Sequence, residues 1–260
     1  MTDLPTLSHD VIIPTDVMSD NTILGAGDTI LHKNFVSKEE SADIFDELMK
    51  TVDFQQWYHM PSNKDEKPLK PLQRIKRIMV NPDAQGDIPY YRFTVNDQFG
   101  HGFISPMPTV IDGLCQRINN FLNSELNHVV ILLYRDGSDH IGFHKDKTLD
   151  LDENAPIVSI SLGCTRTYCL QDAPRDPKVH QEVELESGTL LILGPKTNEN
   201  YYHCIKPSED HTTGPRISIT FRKAVTYRSA DGTIKGKGGQ YQTVNWPEQL
   251  RGKHVIGYHV

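Results

Sequence analysis

Apolar positions recur at helical spacing in two stretches of the chain. The first follows Ser37, which forms a capping box with Glu40, a pattern typical of the start of a helix. The second covers residues 106–123, where two prolines precede or open the helix. Each helix is expected to bury one apolar stripe: Ala42, Ile44, Phe45, Leu48 and Met49 in the first, and Val110, Ile111, Leu114, Ile118, Phe121 and Leu122 in the second.

Strand patterns dominate the region from Val129 to Arg222. The run 129–134 is almost continuously apolar, as in a strand buried on both faces, whereas residues 216–222 alternate between apolar and polar. Further short strands alternate with turns between these two, and no helical pattern interrupts them. Earlier strands are expected at 29–31 and 75–80, with a loop over 58–72. Many short strands predict a mainly β protein built as a barrel or double sheet, with the two helices packed against it.

Length and composition fit an intracellular protein with one large domain. The chain has 260 residues, of which 37% are hydrophobic, enough for a sizeable core. No apolar run is long enough to span a membrane, and the N-terminal residues do not resemble a secretory signal. The four cysteines form no C-x-x-C pair, which favours reduced thiols. We therefore expect a monomer of the nucleus or cytoplasm, without a membrane association or a stable protein partner.

Charge is unevenly distributed along the chain. The formal net charge of -7 does not favour tight nonspecific binding to nucleic acid, because such binding depends on neutralising phosphates. Residues 64–77 nevertheless hold six basic against two acidic side chains, and residues 224–260 hold five against two. Each basic segment fits either a solvated loop or a phosphate contact, and the sequence leaves both interpretations open.

A candidate metal site begins at His144-x-Asp146. Two residues apart on an extended segment, these side chains point to the same side. His203, which follows an apolar strand pattern, is the best candidate for a third ligand. Two histidines and one carboxylate form the facial triad of non-haem Fe(II) oxygenases. A second pair with the same spacing, His180-x-Glu182, lies in an alternating polar stretch and is interpreted as part of a solvated strand face.

The strand over 216–222 carries a second kind of chemistry. Arg216, Ser218, Thr220 and Arg222 share one of its faces. A guanidinium beside a metal site can hold a carboxylate through two parallel hydrogen bonds, and a small dicarboxylate chelating Fe(II) at one end needs such an anchor at the other. The alternative is a pair of surface arginines on an edge strand.

The order of these residues resembles the AlkB family of Fe(II)/2-oxoglutarate dioxygenases. The shared motif consists of Tyr134, His144-x-Asp146, His203 and Arg216-x5-Arg222. The similarity continues through residues 156–163, 188–191 and 202–205, and the stretch 135–142 is similar to that of the eukaryotic DNA-repair members. The resemblance covers residues 28–225 and implies a double-stranded β-helix, or jelly roll. Residues 1–27 would then form an N-terminal arm, and residues 226–260 an extension packed on the domain.

The resemblance implies the cofactors and their ligands. His144, Asp146 and His203 would hold Fe(II), while 2-oxoglutarate and O2 would take the remaining positions. Tyr134 and Arg216 would hold the distal carboxylate of 2-oxoglutarate, and Arg222 would support its other end or Asp146. Ser218, on the same strand face, is also expected to contact the cosubstrate. The implied reaction converts 2-oxoglutarate to succinate and CO2 and hydroxylates a C–H bond; on an N-methyl group the product releases formaldehyde.

The resemblance also implies where the substrate lies. Residues 75–100 would form a lid over an alkylated nucleobase in DNA or RNA, with Tyr91, Arg92 and Phe93 as substrate contacts. Aromatic rings suit this role, since stacking on a base is worth about 1–3 kcal/mol. A base in a duplex would first have to leave the stack. The alternative is that one of the two rings belongs to the core and the other lies at the surface.

Three positions depart from the family pattern. Where the family has N-x-Y this chain has Leu132-x-Tyr134, and where it has R-x-N this chain has Arg216-x-Ser218, so two amides that help hold the cosubstrate are missing. Repair members carry an acidic residue that contacts the base two positions after the ligand aspartate. This chain has Thr148 at that position, which the resemblance implies as a further substrate contact. Three functions stay open: a nucleic-acid demethylase, the same chemistry on a small molecule or protein side chain, and a binding module without turnover.

Overall fold

Three β-sheets and three α-helices form the part of the chain that the computed structural model describes, namely residues 21–59, 70–92, 104–173, 176–210, 212–240 and 255–256. The helices are α1 Lys38–Thr51, α2 Thr109–Leu122 and α3 Pro195–Asn200, followed by a 3-10 helix at Lys237–Gln240. The strands are β1 Asn21–Leu24, β2 Thr29–His32, β3 Gln55–His59, β4 Lys70–Val80, β5 Ile88–Pro89, β6 Ile104–Ser105, β7 His128–Tyr134, β8 Ile141–His144, β9 Ile157–Gly163, β10 Arg166–Gln171, β11 His180–Leu185, β12 Leu190–Leu193, β13 Tyr202–Ile205, β14 Arg216–Arg222, β15 Thr226–Arg228, β16 Ile234–Gly236 and β17 Val255–Ile256.

Two of the sheets form the body of the domain. The major sheet has the strand order β1-β2-β12-β9-β14-β7-β4-β3-β17, with β6 paired to β4. The minor sheet has the order β11-β10-β13-β8. Side chains from both sheets, including Tyr134 and Leu191 from the major and Tyr168 and Ile205 from the minor, pack into one apolar cluster between them. The domain is therefore a sandwich of two mainly antiparallel sheets, as the strand pattern predicts.

Alternation along β14 decides which residues reach the space between the sheets. Ile217, Ile219 and Phe221 are fully buried in the cluster that also holds the apolar stripes of α1 and α2. The intervening residues of β14 consequently face the minor sheet. The two helices thus cover one face of the major sheet, and the polar face of β14 is left for chemistry.

The predicted helices are present, but the stripe of α1 is narrower than expected. Ser37 caps it, since its Oγ accepts a hydrogen bond from the Glu40 N–H at 3.1 Å. Ile44 and Leu48 are buried, whereas the expectation that Ala42 and Met49 are buried is wrong, because both are exposed. They stand one residue away from the buried positions, and each residue of a helix turns by about 100°.

Three irregular segments also differ from expectation. Strands occupy both ends of the loop expected at 58–72, since β3 extends to residue 59 and β4 begins at residue 70. The short helix α3 interrupts the strands after Leu193, where no helical pattern was expected; it is one and a half turns long, too short for a periodic signal. The three glycines of segment 236–239 predict a turn and a flexible loop, whereas the segment forms the end of β16 and most of the 3-10 helix.

The described segments nearest to the two termini pair with strands of the domain. β1 pairs with β2 at one edge of the major sheet. In the C-terminal segment, β15 pairs with β16 and with β5, which belongs to the expected lid region. β17 adds a parallel strand beside β3. The segment after residue 225 is therefore both on a sheet edge and against the lid region.

Candidate metal centre and cosubstrate pocket

Strand pairing brings the two candidate histidines together. In the antiparallel pair β8–β13, His144 stands directly opposite His203, and their ring centroids are 4.2 Å apart. Asp146 lies two residues beyond the end of β8. The three side chains each offer a ligand atom within 4.8 Å of the others. This cluster is the arrangement that the sequence pattern predicts, two imidazoles and one carboxylate on one face of the minor sheet.

Hydrogen bonds orient the donor atoms. Nδ1 of His144 lies 2.9 Å from the carbonyl oxygen of Gly142, which requires a proton on Nδ1 and leaves the lone pair on Nε2. That Nε2 atom lies 4.0 Å from Oδ1 of Asp146. The other carboxylate oxygen, Oδ2, accepts a hydrogen bond from Nη2 of Arg222 at 2.9 Å. Supporting bonds of this kind fix the tautomer of a ligand imidazole and the orientation of a ligand carboxylate.

The backbone of Asp146 is held from α3. Its N–H donates to Oδ1 of Asn198 at 2.9 Å, and its carbonyl oxygen accepts from Nδ2 of the same side chain at 3.1 Å. Asn198 is buried. One amide side chain therefore occupies both backbone groups of the candidate ligand and fixes its position after β8 has ended.

The electrostatics of the cluster favour metal binding at neutral pH. Burial raises the pKa of Asp146, but Arg222 and the two imidazoles outweigh that effect and lower the pKa to about 2. Burial, together with the neighbouring His144, lowers the pKa of His203 to about 3. The pKa of His144 is also lowered, mainly by burial. The carboxylate is therefore ionised and both imidazoles are neutral, which is the protonation state that a metal ion requires.

A pocket between the sheets extends from this cluster to Arg216. The guanidinium of Arg216 is 1% exposed and donates from Nη2 to Oγ of Ser161 at 2.8 Å. Its Nε and Nη1 atoms have no hydrogen-bond partner among the described residues. The ring of Tyr134 lies 5.1 Å from the guanidinium carbon, and Ser218 lines the same pocket. A buried cation with unused donors is costly unless an anion completes it, so this end of the pocket is suited to a carboxylate.

Comparison with known proteins identifies the class. The family model described as the 2OG-Fe(II) oxygenase superfamily matches residues 28–222. DNA oxidative demethylase ALKBH2 of Mus musculus is 32% identical over 124 residues, which are 45% of this chain and 52% of that protein. Alpha-ketoglutarate-dependent dioxygenase alkB homolog 3 of Mus musculus is 25% identical over 213 residues, or 76% of this chain and 66% of that protein. The solved structure of OsALKBH1 has a TM-score of 0.52 at 20% identity and covers 78% of this chain and 99% of that one.

The chain belongs to the 2OG-Fe(II) oxygenase superfamily, because the family model covers most of its length. Its resemblance to the AlkB family is confirmed by the ALKBH2 and alkB homolog 3 matches, and the expected jelly-roll core by the likeness to OsALKBH1. Membership implies Fe(II), 2-oxoglutarate and O2, as expected, and confirms the enzyme class. The chain spans about half the length of the curated ALKBH2 proteins it matches.

The described residues fit these groups. The cluster of His144, Asp146 and His203 supplies the donor set that Fe(II) prefers in such enzymes, and Nδ1 of His203 is buried without a hydrogen-bond partner among the described residues. Arg216 supplies the unused N–H groups that a distal carboxylate needs. The metal cluster and Arg216 line one continuous pocket.

The expected substrate residues fit less well. Arg92 is 1% exposed and pairs with the fully buried carboxylate of Asp150, so its predicted contact with a substrate is inconsistent with its place in the structure. Tyr91 is also buried, with its ring 4.8 Å from the guanidinium carbon of Arg222, and therefore belongs to the core beneath the metal site. Phe93 lies outside the described residues. Thr148 is exposed and lines a second cleft that opens beside Asp146.

The expected basic segments are only partly at the surface. Lys76 is buried, with its Nζ 3.6 Å from the Trp57 ring centroid. Lys235 pairs with Asp87 at 3.2 Å, and Lys237 donates to the carbonyl oxygen of Leu151 at 3.0 Å. Four further basic residues, Lys64, Lys67, Arg251 and Lys253, lie outside the described residues. No helix in the described part of the chain is long and apolar enough to cross a membrane.

The second histidine–carboxylate pair occupies an exposed strand, as expected. His180, Glu182 and Cys169 could reach one metal ion, but Glu182 already pairs with both His180 and Lys206. A metal ion there would have to displace the lysine ammonium, so the solvated strand face is the better interpretation.

Proposed function

We propose that the protein removes alkyl groups oxidatively from nucleobases in DNA or RNA, with 2-oxoglutarate as cosubstrate and formaldehyde and succinate as products. The observation that carries the proposal is the single pocket in which three candidate ligands, His144, Asp146 and His203, share space with the buried, incompletely bonded Arg216. Bound Fe(II) would supply the activation of O2. The names of the relatives, DNA oxidative demethylase among them, support the nucleic-acid substrate.

The residues of the pocket have distinct roles in this proposal. Arg216, with Tyr134 and Ser218 beside it, binds the distal carboxylate of 2-oxoglutarate and so fixes the cosubstrate relative to the metal cluster. Arg222 holds Oδ2 of Asp146 and leaves Oδ1 for the metal. Apolar side chains such as Leu191 and Ile205 line the pocket and exclude water from it. Water exclusion strengthens the charge interactions of both arginines.

The substrate would reach the metal through the cleft beside Asp146. Thr148, Lys145 and Lys196 contribute to its lining. In this proposal Thr148 replaces the acidic residue with which repair members contact the base, so the preferred lesion differs from theirs. A base in duplex would be turned out of the stack before it enters. A nucleic-acid substrate also implies an intracellular site of action, in the nucleus or cytoplasm.

Mass spectrometry of methylated oligonucleotides tests the proposal. Single- and double-stranded DNA and RNA carrying N-methylated bases are incubated with the protein, Fe(II) and 2-oxoglutarate. We expect loss of the methyl mass with the wild type and none with His144→Ala. His180→Ala is the matched control, because this histidine lies on the exposed strand β11 and should leave activity unchanged.

The contrary outcome is equally informative. Succinate formation that continues while every oligonucleotide keeps its methyl groups would refute the nucleic-acid substrate. It would favour the same chemistry on a small molecule or a protein side chain, for which the exposed Thr148 is the supporting observation. Absence of succinate under all conditions would refute the oxygenase activity itself.

A further inference from the structure

Tyr168 of β10 is a polar residue of the pocket that the sequence pattern does not single out. It stands opposite Ile205 in the β10–β13 pair, and its ring stacks on that of His203 with centroids 5.7 Å apart and planes 28° apart. It lines the same pocket as the metal cluster and Arg216. Tyr168 therefore touches a candidate metal ligand directly and borders the space that the cosubstrate would occupy.

The hydroxyl of Tyr168 is buried without a partner in the described part of the chain. The residue is 4% exposed, and its OH is buried without a hydrogen bond to any described residue. Its neighbours in the cluster between the sheets are apolar, among them Leu185, Leu191 and Ile205. More than about 90% of buried polar groups in proteins are satisfied, so an orphan hydroxyl facing a pocket points to an acceptor supplied by the occupant.

Two positions of the same pocket lack the amide side chains of the family pattern, so hydrogen bonds to the cosubstrate are missing there. Leu132 and Ser218 occupy the positions where the family pattern has amide side chains, and both line the pocket. They stand opposite each other in the β14–β7 pair, on the major sheet. Tyr168 faces them from the minor sheet. Its hydroxyl can therefore replace part of the lost hydrogen bonding from the opposite wall.

We propose that the Tyr168 hydroxyl donates a hydrogen bond to a 2-oxoglutarate oxygen at the end of the cosubstrate that chelates the metal. Stacking on His203 places the ring at that end of the pocket rather than at Arg216. A tyrosine hydroxyl keeps its proton at neutral pH and can therefore act as the donor. The inference rests on the proposed use of 2-oxoglutarate and is independent of the final substrate.

The test compares Tyr168→Phe with the wild type in the absence of turnover. Calorimetric titration with 2-oxoglutarate in the presence of Mn(II) gives the dissociation constant, and thermal unfolding gives the stability of the protein without cosubstrate. We expect affinity to fall at least about tenfold, as for the loss of a hydrogen bond to a charged group. Because the hydroxyl is unpaired without ligand, the Tm of the ligand-free variant should equal or exceed that of the wild type.

Tyr227→Phe is the matched control, because the hydroxyl of Tyr227 already accepts a bond from Nδ2 of Asn127 at 3.1 Å. This variant should lose stability and keep its affinity for 2-oxoglutarate. Oxalate, which has the chelating end alone, separates the two ends of the pocket: the Tyr168→Phe defect should persist with oxalate, whereas the defect of Arg216→Met, at the distal end, should disappear. Equal affinity of Tyr168→Phe and wild type for 2-oxoglutarate would overturn the inference. Failure of the wild type to bind 2-oxoglutarate would overturn the proposed function as well.

Discussion

The buried pair of Arg92 and Asp150 gives a test of whether Arg92 stabilises the fold or contacts the substrate. Asp150 accepts three bonds from Arg92: the backbone N–H at 2.8 Å, Nε at 3.0 Å and Nη2 at 2.5 Å. Nη2 also donates to the carbonyl oxygen of Gly238 at 2.8 Å. Both side chains are fully buried. The pair therefore joins the expected lid, the segment after Asp146 and the C-terminal extension, and no part of it faces the cleft.

Replacing Arg92 with leucine would leave the Asp150 carboxylate buried without its cation. Breaking a buried ion pair from one side costs about 3–5 kcal/mol. In a domain of this size, a change of 1 kcal/mol shifts the Tm by about 2–4 °C. Arg92→Leu is therefore expected to lower the Tm by about 6–20 °C. Replacing both partners by leucine should cost less than the sum of the single changes, because no isolated charge is left.

Thermal unfolding and oligonucleotide binding, measured on the same samples, separate the two roles. Arg77→Leu is the matched control, since Arg77 pairs at 3.7 Å with a largely exposed Asp53 and such pairs are worth about 0–1 kcal/mol. Folded Arg92→Leu protein, measured well below its Tm, should bind oligonucleotides as the wild type does. An Arg92→Leu variant that melts like the wild type but loses nucleic-acid binding would refute the structural role and restore the contact that the sequence resemblance implies.

Three further changes test other parts of the structure. Asn198→Ala removes both hydrogen bonds to the backbone of Asp146 and should weaken Mn(II) binding about 10–100-fold, as measured by calorimetry. Asn200→Ala, in the same short helix, should leave Mn(II) binding unchanged. Arg216→Met should lower the affinity for 2-oxoglutarate about 30-fold or more without lowering the Tm of the ligand-free protein; retained affinity would exclude Arg216 as the anchor. Gly238→Ala places a Cβ 2.1 Å from Nη2 of Arg92 and should lower the Tm by several degrees. Gly113→Ala is its control: the residue lies in helix α2 with open space around it, and the change should raise the free energy of unfolding by up to about 1 kcal/mol.

The parts of the site that follow from short-range pattern could be predicted from the sequence. His144 and Asp146 are related by strand alternation, and Arg216 to Arg222 share a face for the same reason. The pairing of His144 with His203 is different, because residues far apart in sequence meet only through the register of β8 and β13. His203 is expected as a ligand from its place after an apolar strand pattern and from the resemblance to a family, but no periodicity within the chain specifies its pairing with His144.

The residues that sequence reasoning missed act through contacts that leave no periodic signal. Asn198 lies in a helix of six residues. Its role in holding the backbone of Asp146 depends on the position that Asp146 takes after the end of β8. Asp150 is one charged residue in a polar loop, and burial of its carboxylate depends on Arg92, which is 58 residues away in the sequence. Pro195 at the start of α3 was the one local sign of a helix, since proline is favoured at the first helical position.

The arrangement of charges explains why the site tolerates its own burial. Arg222 is paired with Asp146 at 2.9 Å and Arg92 with Asp150, so each of these two buried arginines has a carboxylate that neutralises its charge, although Nε and Nη1 of Arg222 have no hydrogen-bond partner among the described residues. Arg166 is buried too, but its guanidinium donates to backbone carbonyl oxygens, including those of Asp139 and Lys206. Among these four arginines, Arg216 is the one that combines unused hydrogen-bond donors with the lack of a neighbouring carboxylate in the described structure. The fold thus reserves one buried positive charge for an anion that enters the pocket, and its position across from the metal cluster selects a ligand with a carboxylate at the far end.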